Sequence, residues 1–328
     1  MTAFFKLIRV RNLIFLAFIQ LIMRQVILMP ILQTYGFEIS QNNISIVLLI
    51  VATIFIAAGG YVLNDYFDVK IDRINRPDSV VVTNEISKRM AMTLHQVLTA
   101  VGILSGLALA YMSSSLTLAF IFIVIPGLLW FYSASYKRQF IIGNLAVAFM
   151  AAMSVLIVAI TEMAFLKMEY GNLIYETPIP EQIYGWLGGF ALFSFLTTWI
   201  REIIKDMQDE AGDREMECRT MPIKWGVNRT KLFIYILSVI TIILLYTANG
   251  VYIEFEGNLT LNYISYGLVL PMLAMMYLVF NSKNSAGFKQ AANMAKFIML
   301  IGVLYAFIFY FLMAKTYGIS LFNLFIIK

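Results

Sequence analysis

Nine stretches of this chain, roughly residues 13–35, 44–63, 91–112, 116–134, 141–162, 183–204, 231–249, 259–280 and 295–316, are nearly free of charge for about twenty residues at a time. That is the length a helix needs to cross the hydrocarbon core of a bilayer. Inside lipid no water can satisfy a backbone N–H or C=O, so such runs become helices that bond internally. With 61% of its residues hydrophobic and 13% charged, the chain also lies well outside the soluble globular average. We therefore expect an all-α membrane protein of nine transmembrane helices, with residues 1–328 forming a single membrane-embedded domain.

The net charge of +5 would suit a nucleic-acid partner, but the placement of the basic residues argues against one. Lys6, Arg9 and Arg11 precede the first stretch. Lys70, Arg73, Arg76, Lys88 and Arg89 lie between the second and third, and Lys137 and Arg138 between the fourth and fifth. Arg201, Lys205, Arg214, Arg219, Lys224, Arg229 and Lys231 surround the connection from the sixth to the seventh; Lys283, Lys289 and Lys296 surround that from the eighth to the ninth. The alternate connections are acidic. Glu162, Glu169, Glu176 and Glu181 accompany Lys167, and Glu254 and Glu256 have no basic neighbour. This positive-inside asymmetry places the N-terminus on the cytoplasmic side of the cell (inner) membrane and the C-terminus outside. The first stretch is too long for a cleaved signal peptide and lacks its small-residue pattern. Cys218, the single cysteine, cannot form an intramolecular disulfide and reads as incidental.

Charge returns abruptly at residues 64–76, Asn-Asp-Tyr-Phe-Asp-Val-Lys-Ile-Asp-Arg-Ile-Asn-Arg. Asp65, Asp68 and Asp72 are spaced by three and four, which a helix places on one face, and Asn64 adds a neutral oxygen nearby. Three carboxylates on one stripe repel each other, and a helix C-terminus disfavours further negative charge, so something cationic must offset them. The same spacing recurs as Asp206, Asp209 and Asp213, again just after an apolar stretch. A solvated helix end with ordinary i,i+4 charges would explain one such stripe. Two matched stripes in so uncharged a chain point instead to two helix ends facing each other across a shared site. Its ligands would all be hard oxygens, which suits Mg²⁺ held by a few carboxylates together with phosphate oxygens of a substrate.

Other signals are weaker. Residues 1–12 read as a short amphipathic lead-in lying in the headgroup region. Arg24, beside Gln20 and Gln25, falls in the middle of the first stretch, where a charge is expensive; a functional site, snorkelling and a partner on a neighbouring helix are all open. Pro77 ends the helix before it, Val80-Val81-Val82-Thr83 is β-prone, and Ser87 suits an N-cap. His95 has no second His or Cys nearby to complete a metal set and reads as a packed residue. Trp130 and Tyr132 fit an interfacial aromatic belt, while Lys137 and Arg138 just beyond would serve a phosphate. Asn144, just inside the fifth stretch, needs a hydrogen-bond partner. Residues 163–182, with Pro178 and Pro180, read as a loop.

Two facing carboxylate sets at one membrane boundary, ringed by Arg and Lys, are what binding of a diphosphate through Mg²⁺ requires. The metal bridges carboxylate and phosphate oxygens, and the cations take up charge that builds on a leaving group. Apolar helices beneath such a site would hold a hydrocarbon tail, so the natural substrate is an amphiphile with a diphosphate head. The competing class is a divalent-cation transporter, which would bury acidic residues near the bilayer midplane, whereas both stripes here lie at one interface.

Taken with the nine-span plan, the motif Asn64-Asp65-x-x-Asp68-x-x-x-Asp72, its counterpart Asp206-x-x-Asp209-x-x-x-Asp213 and the Tyr132-to-Lys137 element between them resemble the UbiA superfamily of intramembrane prenyltransferases. Arg9 and Asn12, Asn144 and the Thr220-Met221-Pro222 turn also fall where that family has similar residues. The resemblance implies a nine-helix bundle with a central cavity open to the cytoplasmic side and Mg²⁺ as cofactor. It also implies transfer of an isoprenoid chain from its diphosphate to a hydrophobic or amphiphilic acceptor. By the same resemblance Asn64, Asp65, Asp68 and Asp72 bind one metal–diphosphate face and Asp206, Asp209 and Asp213 the other. Arg9, Asn12, Arg76, Lys137, Arg138, Asn144 and Lys205 contact substrate, and the Tyr132 ring stabilises the allylic cation. In wording, the motifs look most like the geranylgeranylglycerol-phosphate geranylgeranyltransferase branch, with an aromatic quinone precursor as the alternative acceptor. After Pro77 the chain departs from that branch: Asp78-Ser79-Val80-Val81-Val82-Thr83 stands in place of Arg-Pro-Ile-Pro-Ser-Gly, which removes a basic residue.

Overall fold

An apolar run that becomes a helix ends where capping groups and breakers return, and the computed structural model shows where these lie. It describes residues 2–37, 43–75, 77–253, 255–322 and 324–326. Among them nine helices are long and apolar enough to cross a membrane. These are α1 (Val10–Thr34), α2 (Asn43–Asn75), α3 (Lys88–Met112), α4 (Leu116–Ala134), α5 (Ile142–Tyr170), α6 (Ile179–Gln208), α7 (Val227–Val251), α8 (Leu259–Asn281) and α9 (Ser285–Tyr317). Ser87, Ser115 and Asn284 cap α3, α4 and α9 by accepting a backbone N–H from the first turn. Two helices contain a wide π turn, Met23–Leu28 in α1 and Tyr263–Val269 in α8. Pro30 and Pro271 follow within two residues, so the widened turns absorb the clash a proline ring makes with the carbonyl one turn earlier.

The helices run further than their apolar stretches. α2 continues unbroken through the whole acidic stripe to Asn75, and α6 reaches Gln208. The expected loop at 163–182 is largely helical: α5 extends to Tyr170, a 3₁₀ segment follows over Gly171–Glu176, and Pro178 and Pro180 sit at the start of α6, where a missing N–H is harmless. Glu162 therefore lies inside α5 and is fully buried. The lead-in Thr2–Leu7 is a short helix, and Leu7 and Ile8 after it are buried with Val62, Val69, Val81 and Val82. Val80, Val81 and Val82 are buried there too, and the segment forms one isolated bridge, Val82 to Ile86, with no strand.

One apolar core joins the π turn of α1 to α5, α6 and α9 through Met23, Ile27, Val158, Leu187 and Phe309; another joins α6 to α8 and α9 through Ile203, Met275 and Ile298. Arg24 is buried beside the first core and interacts electrostatically with Glu162 of α5. Of the three readings open for Arg24, the structure supplies the partner on a neighbouring helix. His95 is packed as expected, its Nδ1 2.9 Å from the Gly59 carbonyl oxygen.

Candidate active site

An amide on the last turn of α2 holds the backbone just beyond α6, at the bend residue Asp209 and on the short helix Glu210–Glu215. Asn75 donates from Nδ2 to the Asp209 carbonyl at 3.1 Å and accepts the Gly212 N–H at 2.9 Å. A Cβ at position 212 would lie 2.6 Å from that amide, so only glycine permits the approach. Because Asn75 satisfies two backbone groups at once, Asn75→Ala is expected to lower unfolding free energy by about 1–3 kcal/mol, read as a fall in Tm. Asn75→Asp, which cannot donate to Asp209, should lose a comparable amount. Unchanged unfolding in both variants would mean that the amide does not hold the helix ends together.

With the helix ends so joined, the acidic stripes meet. Arg9 has left-handed backbone (φ 52°) between the short helix Thr2–Leu7 and α1, and from that kink its Nη2 donates to Asp65 Oδ1 at 2.7 Å. Its guanidinium also lies 4.9 Å from the centre of the Tyr61 ring. Lys137 donates to Asp68 and reaches Asn64 Oδ1 at 3.3 Å. Burial pulls the Lys137 ammonium below its usual pKa; Asp68 opposes this and Arg138 adds to it. Asn144 finds its expected partner, donating from Nδ2 to Asp206 Oδ2 at 2.9 Å. Tyr132 lies between the two stripes, within electrostatic reach of Glu202 and Asp206 on α6, Asp68 on α2, and Arg9. Asp72, Asp209 and Asp213 are half-buried at the same two helix ends. Among the described residues no three carboxylate, imidazole or thiol side chains cluster tightly enough to hold a metal ion. Asp65, Asp68 and Asp206 instead take Arg9, Lys137 and Asn144 as partners.

Lys205 is bound to Glu202 at 2.8 Å, Asn12 makes no side-chain hydrogen bond among the described residues, and Arg76 lies outside them. Glu202 was not foreseen. It is buried, held also by Arg201 at 2.7 Å, and precedes Asp206 by four, one turn of α6, a spacing that could have revealed it; the helix stops at Gln208, so Asp209 lies in a bend and Asp213 on the short helix Glu210–Glu215 beyond, and not on the single helical face expected. Cys218 is buried beside the site, near Asp213, Arg138, Asp68 and Lys137; burial, then Asp213, pushes its thiol up to about 11 and keeps it protonated. Arg138 Nε and Arg201 Nε are buried without a hydrogen-bond partner among the described residues. Orphan cationic donors beside an acidic site are what an anionic ligand would satisfy.

Comparison with known proteins shows the family and the fold. Residues 28–301 match the UbiA prenyltransferase family. The chain is 32% identical over 221 residues to the digeranylgeranylglyceryl phosphate synthase of Methanosphaera stadtmanae, covering 67% of this chain and 70% of that protein. A solved structure concerned with digeranylgeranylglyceryl phosphate synthase in membranes has the same fold, with a TM-score of 0.62 at 22% identity over 93% of this chain and 98% of that one. A UbiA homolog from Archaeoglobus fulgidus bound to DMAPP and Mg²⁺ gives 0.54 at 16% identity, covering 93% and 98%. With the family match spanning most of its length and nine apolar helices to carry it through a bilayer, the chain belongs to the UbiA prenyltransferase family and is an integral, multi-pass membrane prenyltransferase.

Proposed function

We propose that this prenyltransferase moves a geranylgeranyl chain from its diphosphate to the free hydroxyl of geranylgeranylglycerol phosphate, at the joined ends of α2 and α6. The observation that carries the reading is the meeting of the two acidic stripes around Tyr132, with Arg9 and Lys137 set against them. The donor and the acceptor are supported by the relative from Methanosphaera stadtmanae, a digeranylgeranylglyceryl phosphate synthase. The basic connections favour a cytoplasmic location for this end of the bundle.

The donor set fits Mg²⁺, since it consists of carboxylate and amide oxygens. Asn64, Asp65, Asp68 and Asp72 would hold it from α2, Asp206 from the last turn of α6, and Asp209 and Asp213 from the bend and short helix just beyond it. When bound, Mg²⁺ supplies charge neutralisation for a diphosphate leaving group, as the Archaeoglobus homolog bound to DMAPP and Mg²⁺ supports. The chain's own residues supply orientation and further charge. Arg9, Lys137, Arg138 and Arg201 offer N–H donors to phosphate oxygens, the last two through Nε atoms that no protein acceptor satisfies among the described residues. Asn144 fixes the orientation of Asp206. The allylic C–O bond breaks with its electron pair leaving on the diphosphate, the Tyr132 ring faces the developing cation, and the surrounding apolar helices exclude water. The acceptor oxygen then bonds to the allylic carbon, and its proton passes to the departing diphosphate.

The test is transfer by purified protein in lipid nanodiscs, using labelled geranylgeranyl diphosphate. Geranylgeranylglycerol phosphate, 4-hydroxybenzoate, dihydroxynaphthoate and homogentisate are offered separately, with Mg²⁺ present or chelated. A labelled ether lipid from the first acceptor, lost on chelation, is expected. Label on an aromatic acceptor instead would overturn the acceptor assignment. Absence of both product and Mg²⁺-dependent diphosphate release would overturn the reading of the site.

A further inference from the structure

Two faces lead from the head-group site into the bundle. On α1, which begins directly after Arg9, Ile19 and Met23 are four apart and share one face; on α5, Asn144 and Val155 are eleven apart, about three turns or 16 Å along the helix, and share another. Both faces end at a cavity of about 30 Å³, walled by Ile19, Met23, Val155, Phe193, Thr197 and Gly302 among others. Ser194 and Thr197 are the two hydroxyl residues of the wall, and Thr197 Oγ1 donates to the Phe193 carbonyl at 2.7 Å. The rest of the wall is apolar, the surface a hydrocarbon chain would pack against.

The wall where α6 meets α9 is built from a large and a missing side chain. Phe193 Cε1 lies 2.1 Å from where a Cβ on Gly302 would stand, with Cδ1 at 2.8 Å and Cζ at 3.1 Å. The ring therefore fills the notch that glycine leaves, and any side chain at 302 would have to displace it from its place in the cavity wall. Phe193 is thirteen residues before Asp206, so a tail must extend about 20 Å along α6 before meeting it. A short prenyl chain ends before that level, whereas a long one has to pass it.

We propose that Phe193, seated in the notch of Gly302, is the stop that sets which prenyl chain lengths this enzyme accepts. The proposal rests on the diphosphate of the donor binding at the ends of α2 and α6. Neither residue touches the reacting atoms, so their action is on the selection of donor and leaves the bond-breaking step unaltered.

The experiment measures kcat/KM for geranyl, farnesyl and geranylgeranyl diphosphate with one acceptor, in nanodiscs, for wild type, Gly302→Ala, Phe193→Leu, Phe193→Ala and the double variant Phe193→Ala with Gly302→Ala. Gly302→Ala is expected to lower the ratio of geranylgeranyl to geranyl turnover by about tenfold, the scale on which an apolar pocket discriminates chain length. Phe193→Leu and Phe193→Ala should raise that ratio in increasing order, and a pentaprenyl diphosphate should become a better donor for Phe193→Ala. The double variant should recover the long donor, which mere packing damage at 302 would not allow. A ratio that stays within about twofold of wild type in the single variants overturns the stop, as does failure of the double variant to recover. Wild-type protein that turns over none of the donors would defeat the reading of the head-group site itself, an outcome distinct from turnover with an unaltered donor ratio.

Discussion

Asp68→Ala is expected to lower kcat/KM for prenyl transfer by at least about 10²–10³-fold, the scale seen when one preorganised group that stabilises transition-state charge is removed. Asp68 is the centre of the first stripe and lies close to Tyr132, at the level where the second stripe approaches. Its carboxylate is held by Lys137, which also reaches Asn64, so the lysine keeps a neutral acceptor in the variant and the fold should survive. Asp68→Asn separates charge from shape: it keeps an oxygen for Lys137 but removes the negative charge, and its turnover should fall nearly as far. Asp209→Ala tests the second stripe. There the contact to Asn75 uses the Asp209 backbone carbonyl, which alanine retains, so the helix-end joint should remain. Labelled transfer assays with thermal unfolding run in parallel decide the matter. Variants that stay folded with turnover within tenfold of wild type would exclude these carboxylates from the chemistry.

Glu162→Leu should produce the largest loss of stability. Arg24 and Glu162 are both buried in the same core, on helices that are adjacent in space but far apart in sequence. Removing one partner of a buried charge pair leaves the other charge desolvated, which typically costs about 3–5 kcal/mol, with the lower end expected where lipid and neighbouring polar groups allow relaxation. Replacing both, as Arg24→Leu with Glu162→Leu, removes the charges together and should restore most of the loss. The measurement is the unfolding midpoint in detergent for the two single variants and the double. A Tm for Glu162→Leu within about 2 °C of wild type would show that the pair carries little of the stability.

The nine helices were legible because an apolar run of bilayer length has few alternatives to a helix, whatever surrounds it. The stripe at 65, 68 and 72 was legible for a similar reason: spacings of three and four mark one helical face, and that depends only on the residues' own helix, whereas at 206, 209 and 213 the same spacing is interrupted by a bend at Asp209 after α6 ends. The Asn144 contact was anticipated as the need for a hydrogen-bond partner, whereas Lys137 was expected to serve a phosphate and its pairing with Asp68 came only with the fold. Helix ends were less legible. Hydropathy stops at the membrane boundary, but the hydrogen-bond ladder of α2 continues through polar residues to Asn75, and that of α5 past Glu162 to Tyr170.

What the sequence by itself determined, then, was the number and kind of its helices and the chemistry gathered at two of their ends. Tertiary packing decided the joining of those ends by Asn75, the pairing of Arg24 with Glu162, the burial of Glu202 and Cys218 beside the stripes, and the seating of Phe193 over Gly302. Each of these brings together groups on different helices or turns. Periodicity fixes the face on which a side chain sits, but the residue opposite that face is chosen by close packing of the whole bundle.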